Sequence, residues 1–218
     1  MTLTLYYHPL ASYCWKVLIA LYEHGTPFAR RVVDLGDPAQ RAELVALWPL
    51  GRFPVLRDGD QVVAESSIIV EHLDRRHPGP RPLVPVDPDQ ALAARRWDRL
   101  LDNDVQGPVQ AIVGDRLRGG HGDLARAYAT LTTVYALLEQ QLGATGWLVG
   151  DDFGFADCAA APALFYAATL QPFPADAPRL RAYVERLLAR PSVARVLDEA
   201  RPSFATYPFA DAIEPRFR

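Results

Sequence analysis

The run Gly51-Arg52-Phe53-Pro54-Val55-Leu56, followed nine positions later by Glu65-Ser66, constrains this chain more than any other stretch. Pro54 stands between bulky apolar residues where a strand is expected. Proline brings no N–H to a central strand, so it belongs at an edge or a bend. That placement leaves backbone groups beside it unpaired and open to a ligand. Glu65-Ser66 then opens what reads as the next helix.

Around that run, residues 2–7 read as a short strand bounded by His8-Pro9. Trp15, Leu18, Ile19 and Tyr22 recur at helical spacing over 12–24, and Gly25 is a natural stop. Residues 28–33 read as a second strand, and Asp37-Pro38 starts a helix through Leu47 with an Asp cap and a first-turn proline. Residues 54–56 form a third strand, Arg57-Asp58-Gly59-Asp60 the hairpin turn, and 61–64 the fourth. A helix over 66–76 ends at His77-Pro78-Gly79-Pro80. The order βαβαββα predicts a small mixed sheet with helices.

Pro78, Pro80, Pro82, Pro85 and Pro88 mark a linker, and everything beyond reads as helical. A long helix over 91–117 carries Trp97, Leu100, Leu101 and Val105 on one side, with Pro108 expected to kink or break it near Gly107. Leu124, Tyr128, Leu131, Tyr135, Leu138 and Leu142 form an amphipathic stripe. Helices over 155–170 and 177–189, a short one after Pro191, and an extended arm from Ala200 complete the expectation. The division is a mixed domain over 1–77, a linker over 78–87 and an all-helical domain over 88–218.

Half of the 218 residues are apolar and the formal net charge is -3. A folded globular chain is expected, with no general affinity for nucleic acid or an anionic membrane. No stretch reaches the roughly 20 apolar residues of a membrane span, and the N-terminus lacks the pattern of a secretory signal. With only Cys14 and Cys158, a disulfide framework is not expected, and a reducing, cytoplasmic setting is the simplest reading.

This order of elements, together with Leu5-Tyr6-Tyr7-His8-Pro9, Ser12-Tyr13-Cys14-Trp15-Lys16-Val17, the Pro54 run, Glu65-Ser66 and Phe153-Gly154-Phe155-Ala156-Asp157, resembles the glutathione transferase family over nearly the whole chain. The resemblance implies a thioredoxin-like glutathione-binding domain, an all-helical domain over a second-substrate pocket, and a homodimer. It implies glutathione as co-substrate and a small hydrophobic electrophile as partner; no metal ligand is assigned. It also implies a cis bond before Pro54 that exposes the Phe53 backbone to the glutathione cysteine. The rival is a trans proline ending a loop.

Glu65 and Ser66 resemble the pair that holds the γ-glutamyl end. Glu65 would take the ammonium group, while Ser66 and the first helical N–H groups would take the carboxylate. Ser66 as an ordinary helix cap is compatible with this. Arg52 would face the glycyl carboxylate or be a solvated surface arginine.

The serine- or cysteine-type pattern puts an activating residue five positions before the basic residue. Counting back from Lys16 lands on Ala11, whose methyl donates nothing. Ser12 is the substitute donor or merely the cap of the first helix. Tyr7 is a second candidate, since Tyr6 and Tyr7 point to opposite faces of a strand. Cys14 reads as a packed thiol, with reactive-thiol chemistry as the alternative. Gly154 replaces the hydroxyl residue of a capping box, but Asp157 can still bond back to its N–H.

Pocket walls are expected from Pro9, Leu10, Tyr13, Trp97, Leu101, Asn103, Asp104 and Gln106, with Tyr166 approaching from later helices. The expected activity is addition of the glutathione thiol to an electrophilic carbon. The alternatives are a non-catalytic glutathione-binding or regulatory protein, a glutathione-dependent isomerase or thiol-disulfide reductase, and a bare dimerisation module.

Overall fold

A computed structural model of the chain describes residues 3–143 and 146–218. Thr2, the expected start of the first strand, lies outside the described residues. The first half runs β1 (Leu3–Tyr7), α1 (Ser12–His24), β2 (Ala29–Val32), α2 (Pro38–Leu47), β3 (Val55–Asp58), β4 (Gln61–Ala64) and α3 (Ser66–Arg76). The sheet order is β2-β1-β3-β4, with β1 and β2 parallel and the other pairs antiparallel.

Strand alternation divides the core. Leu5, Tyr7, Leu56 and Val63 join α1 and α3 in the main cluster, whereas Tyr6 and Val55 meet Val33 and Leu44 of α2 on the opposite face. Pro54 lies just outside β3 rather than opening it, because β3 is an interior strand whose N–H groups are needed on both sides. The hairpin turn is also shorter than expected. Asp58 still pairs with Gln61, leaving Gly59 and Asp60 to make the turn, with Gly59 at φ 60°.

The second half is helical: α4 (Pro88–Leu100), a π-helical stretch (Leu101–Gln106), α5 (Gly107–Leu117), α6 (Ala125–Gln141), α7 (Phe155–Leu170), α8 (Pro178–Ala189) and α9 (Pro191–Ala200). The thioredoxin-like mixed domain is thus followed by an all-helical domain. The long helix divides at Gly107, as expected beside Pro108, but the backbone stays helical through the junction, with Gln106 and Gly107 both in the αR region. Pro108 occupies the first turn of α5, where a missing N–H costs little, and the coil widens ahead of it so that the Gly107 N–H reaches the Asp102 carbonyl.

Tyr128 departs from the expected apolar stripe of α6 and is partly exposed. The tail is not an extended arm either. It folds into three 3-10 turns (Arg201–Thr206, Ala210–Ala212, Pro215–Phe217) that bury Phe204, Tyr207 and Ile213, with Phe204 packed on Trp15 and Phe165.

The domains are joined by α1 packing on α7 and α9. Glu23 accepts both nitrogens of the Arg190 fork at 2.8 and 2.6 Å. Asp74 accepts the N–H groups of Leu83 and Val84 at 3.0 and 2.7 Å, and the His24 Nε2 lies 2.8 Å from it. Gly79 passes so close to His24 that a Cβ there would sit 2.5 Å from its Cα.

Candidate functional site

Two loop junctions and residues of α1, α4 and the π-helical stretch enclose a cleft of about 590 Å³ between the two domains. The loop before β3 contributes Arg52, Phe53 and Pro54, and the Phe53–Pro54 bond is cis. The β4–α3 junction contributes Glu65, Ser66 and Ser67, while α1 contributes Tyr13. The opposite wall comes from Asp98 and Arg99 of α4 with Asp102 and Asn103 of the π-helical stretch.

Glu65 stands at φ 70°, the only non-glycine residue with positive φ among those described. Such a conformation costs on the order of 1–3 kcal/mol and persists where surrounding structure enforces it. It turns the chain abruptly from β4 into α3. No side chain caps α3, so its first N–H groups have no side-chain acceptor. Uncapped N–H groups and the helix dipole together make a receptor for a carboxylate. Arg52 is exposed and makes no ion pair among the described residues, leaving its guanidinium fork for an anion. Glu65, also exposed, is the complementary negative group.

Behind the α3 terminus lies a buried polar cluster. Lys16 pairs with Asp98, reaches Asp102 at 3.1 Å and donates to the Ser67 hydroxyl at 2.8 Å. Ser67 in turn donates to Asp98 at 2.7 Å. Burial raises the Asp102 carboxyl, while Lys16 acts against that rise. Tyr13 donates its hydroxyl to the Asp102 backbone carbonyl across the cleft at 3.2 Å. Burial, reinforced by the Asp102 charge, pushes the Tyr13 phenol up to about 12, so it remains a donor at neutral pH.

Of the residues anticipated from the sequence, Tyr13, Arg52, Phe53, Pro54, Glu65, Ser66 and Asn103 come together on this cleft. Ser12 does not line it. Ser12 is buried, and its hydroxyl has no hydrogen-bond partner among the described residues. Nor is Ser12 the helix cap, because Ala11 holds that position without a side-chain bond. Tyr7 is buried near Arg30 and Glu199, outside the cleft lining, with its phenol raised by burial.

Pro9 and Leu10 are half-buried in the preceding loop. Trp97 and Leu101 are core residues and Asp104 is exposed; none of the three lines the cleft. Gln106 is buried with neither amide atom partnered, and Tyr166 packs among Trp15, Phe165 and Tyr207. Cys14 is wholly buried, and burial pushes its thiol well up, away from reactive thiolate chemistry. Cys158 is likewise buried.

Sequence reasoning missed Ser67, Asp98 and Asp102, and used Lys16 only as a landmark. The available signal was Lys16 itself, a lone charge inside Trp15-Lys16-Val17-Leu18-Ile19, which requires a buried counter-charge. Asp98 and Asp102, one helical turn apart beside Trp97 and Leu101, were the matching pair.

Residues 5–81 match the model of the glutathione S-transferase N-terminal domain, and residues 122–186 match that of the C-terminal domain. A probable maleylacetoacetate isomerase of Caenorhabditis elegans is 30% identical, covering 78% of this chain and 83% of its own. A stringent starvation protein A homolog of Histophilus somni is 28% identical over 92% of both chains. Among solved structures, a glutathione S-transferase from Methylobacterium radiotolerans in complex with glutathione sulfonate is 33% identical, with a TM-score of 0.79 over 90% of this chain and 94% of its own.

Proposed function

The chain belongs to the glutathione S-transferase family, and from that membership we propose that it binds glutathione in the interdomain cleft and conjugates it, through its deprotonated sulfur, to the electrophilic carbon of a small hydrophobic substrate. The observation that carries the reading is the convergence of Arg52, the Phe53–Pro54 turn and the Glu65–Ser66 junction on one cleft. Glutathione offers two carboxylates and one ammonium group. Arg52 takes the glycyl carboxylate, the α3 terminus with Ser66 takes the γ-glutamyl carboxylate, and Glu65 takes the ammonium. The Phe53 backbone pairs with the cysteinyl unit between them. The Methylobacterium relative, solved in complex with glutathione sulfonate, supports this ligand.

The thiol then lies toward the start of α1. Its anion is stabilised there by the first N–H groups of the helix and by a hydroxyl donor. Ser12 is that donor in our reading, because its buried hydroxyl is spent on nothing else; Tyr7 is the lesser candidate. The electrophile enters over Tyr13 and Asn103, with Pro9 and Leu10 at the rim. Placing it beside the thiolate supplies the rest of the acceleration.

A second reading, glutathione binding without conjugation, is favoured by Ala11 at the α1 cap and by a Ser12 hydroxyl that does not line the cleft. A thiolate-absorbance titration of bound glutathione across pH separates the two. A thiol pKa lowered by about one unit or more, largely restored in Ser12→Ala but not in Tyr7→Phe, supports conjugation through Ser12. Binding with an unshifted thiol supports the second reading. A shift retained in Ser12→Ala but lost in Tyr13→Phe moves the donor role one residue along.

A further inference from the structure

The chain holds a second cluster of chemistry-bearing side chains toward the C-terminal end of α3, away from the end that opens on the cleft. Asp58 ends β3, His72 lies in the penultimate turn of α3, and His77 follows its last residue. Both rings turn the same nitrogen, Nε2, toward the same oxygen, Asp58 Oδ2, at 3.0 Å for His72 and 2.7 Å for His77. The three donor atoms lie within 4.8 Å of one another. The side chains retain 10%, 28% and 14% exposure for His72, His77 and Asp58, so the point on which they converge is open to solvent on one side.

We propose that Asp58, His72 and His77 form a binding site for one divalent first-row transition ion, of which Zn²⁺ is the best fit. Two imidazoles and a carboxylate suit zinc and its neighbours, and exclude the all-oxygen preference of calcium and magnesium. Metal–ligand bonds of about 2.0–2.2 Å set tetrahedral donors about 3.3 Å apart. The two nitrogen–oxygen separations, 3.0 and 2.7 Å, need widen by only about 0.3–0.6 Å to reach that spacing, and the two nitrogens lie within 4.8 Å of each other. Both rings turn toward Asp58 Oδ2, which brings all three donors to one common point. Three protein ligands leave a fourth position to water.

Competing ligands are few. Cys14 and Cys158 are buried, and His24 is engaged with Asp74. The ion does not touch the cleft ligand, because the 11 residues of α3 separate His77 from Ser66 by roughly 15 Å. Its place is structural: it fastens the tip of the β3–β4 hairpin to the C-terminal end of the helix whose other end receives glutathione.

The test uses the full chain without a histidine tag. Co²⁺ is titrated and followed by visible absorption, and Zn²⁺ by calorimetry, on the wild type, His72→Gln, His77→Gln and the double variant. Circular dichroism without metal confirms that each variant is folded. The proposal expects one equivalent bound at micromolar Kd or tighter, intense tetrahedral cobalt bands, and affinity about 30-fold or more weaker in each single variant. Zinc should also raise the wild-type Tm by several degrees and leave the double variant unmoved. Equal affinity in the wild type and the double variant, or no binding by the wild type below millimolar metal, overturns it.

Discussion

Glu65 holds a backbone conformation that its side chain disfavours, at the place where the proposed ligand's ammonium and carboxylate both arrive. Glu65→Gly removes both the steric conflict and the carboxylate. We expect it to lower glutathione affinity by at least about tenfold, the scale of one charge-assisted hydrogen bond. Urea denaturation should register a change below about 1 kcal/mol, since the relief of strain offsets the added chain entropy. Equal affinity in calorimetric titration would remove Glu65 from the site. Lys16 gives the opposite pattern. Lys16→Met strands Asp98 and Asp102 without their cation and should cost about 3–5 kcal/mol, read from the urea midpoint. Arg52, Pro54 and Glu65-Ser66 could be picked out in the sequence because the bends before β3 and after β4 are local features, although Ser66 proves to be the first residue of α3 and not its cap. Ser67 was not, because its role depends on Asp98, 31 positions away.

Elements were legible where periodicity and punctuation agreed. Over α1, α3 and α7 the expected and observed limits coincide, each bounded by glycine, proline or a cap-like residue. The division near Gly107 was legible from Pro108, but the widened coil before it was not, because sequence does not say whether the preceding turn can widen.

The start of α7 illustrates how much one buried side chain organises. Asp157 accepts the Gly154 N–H at 2.9 Å, the Leu148 N–H at 3.2 Å and the Tyr183 hydroxyl at 2.5 Å. Asp157→Ala should therefore cost about 2–4 kcal/mol in chemical denaturation, from a lost cap and orphaned partners. Burial pushes this carboxyl up to about 6, above the ordinary 3.8. The folded state thus holds the proton more tightly than the unfolded one. The associated stabilisation is full below about pH 4 and lost as pH rises through about 6. The stability difference between wild type and Asp157→Asn should accordingly grow as pH falls from 7 to 4; a flat difference refutes the shift.

Across the whole molecule, the domains meet through pairs that no local pattern announces. Glu23 and Arg190 are 167 positions apart. Burial raises the Glu23 carboxyl, but the Arg190 and Ser192 hydrogen bonds outweigh it and leave it below its usual range. A depressed folded value gives stabilisation present above the unfolded pKa of about 4.5 and lost as pH falls through the folded one. Glu23→Gln should hence differ most from wild type at neutral pH, by about 1–3 kcal/mol, and converge with it below about pH 4. Family membership further leads us to propose a homodimer, checked by sedimentation across micromolar concentrations. A monomer throughout would count against it. No described helix is long and apolar enough to cross a membrane.

The widened coil at Leu101–Gln106 does more than make room for Pro108. Buried Trp97, Leu101, Val105 and Val109 advance by four residues at each step. On a cylinder of 3.6 residues per turn, such a stripe creeps around the axis by about 40° each time. Slower winding cancels that creep and keeps the stripe aimed at α7. To everything downstream the stretch is a phase setting. Deleting one residue within it would turn α5 by about 100° against its neighbours, although no buried side chain had changed its chemistry.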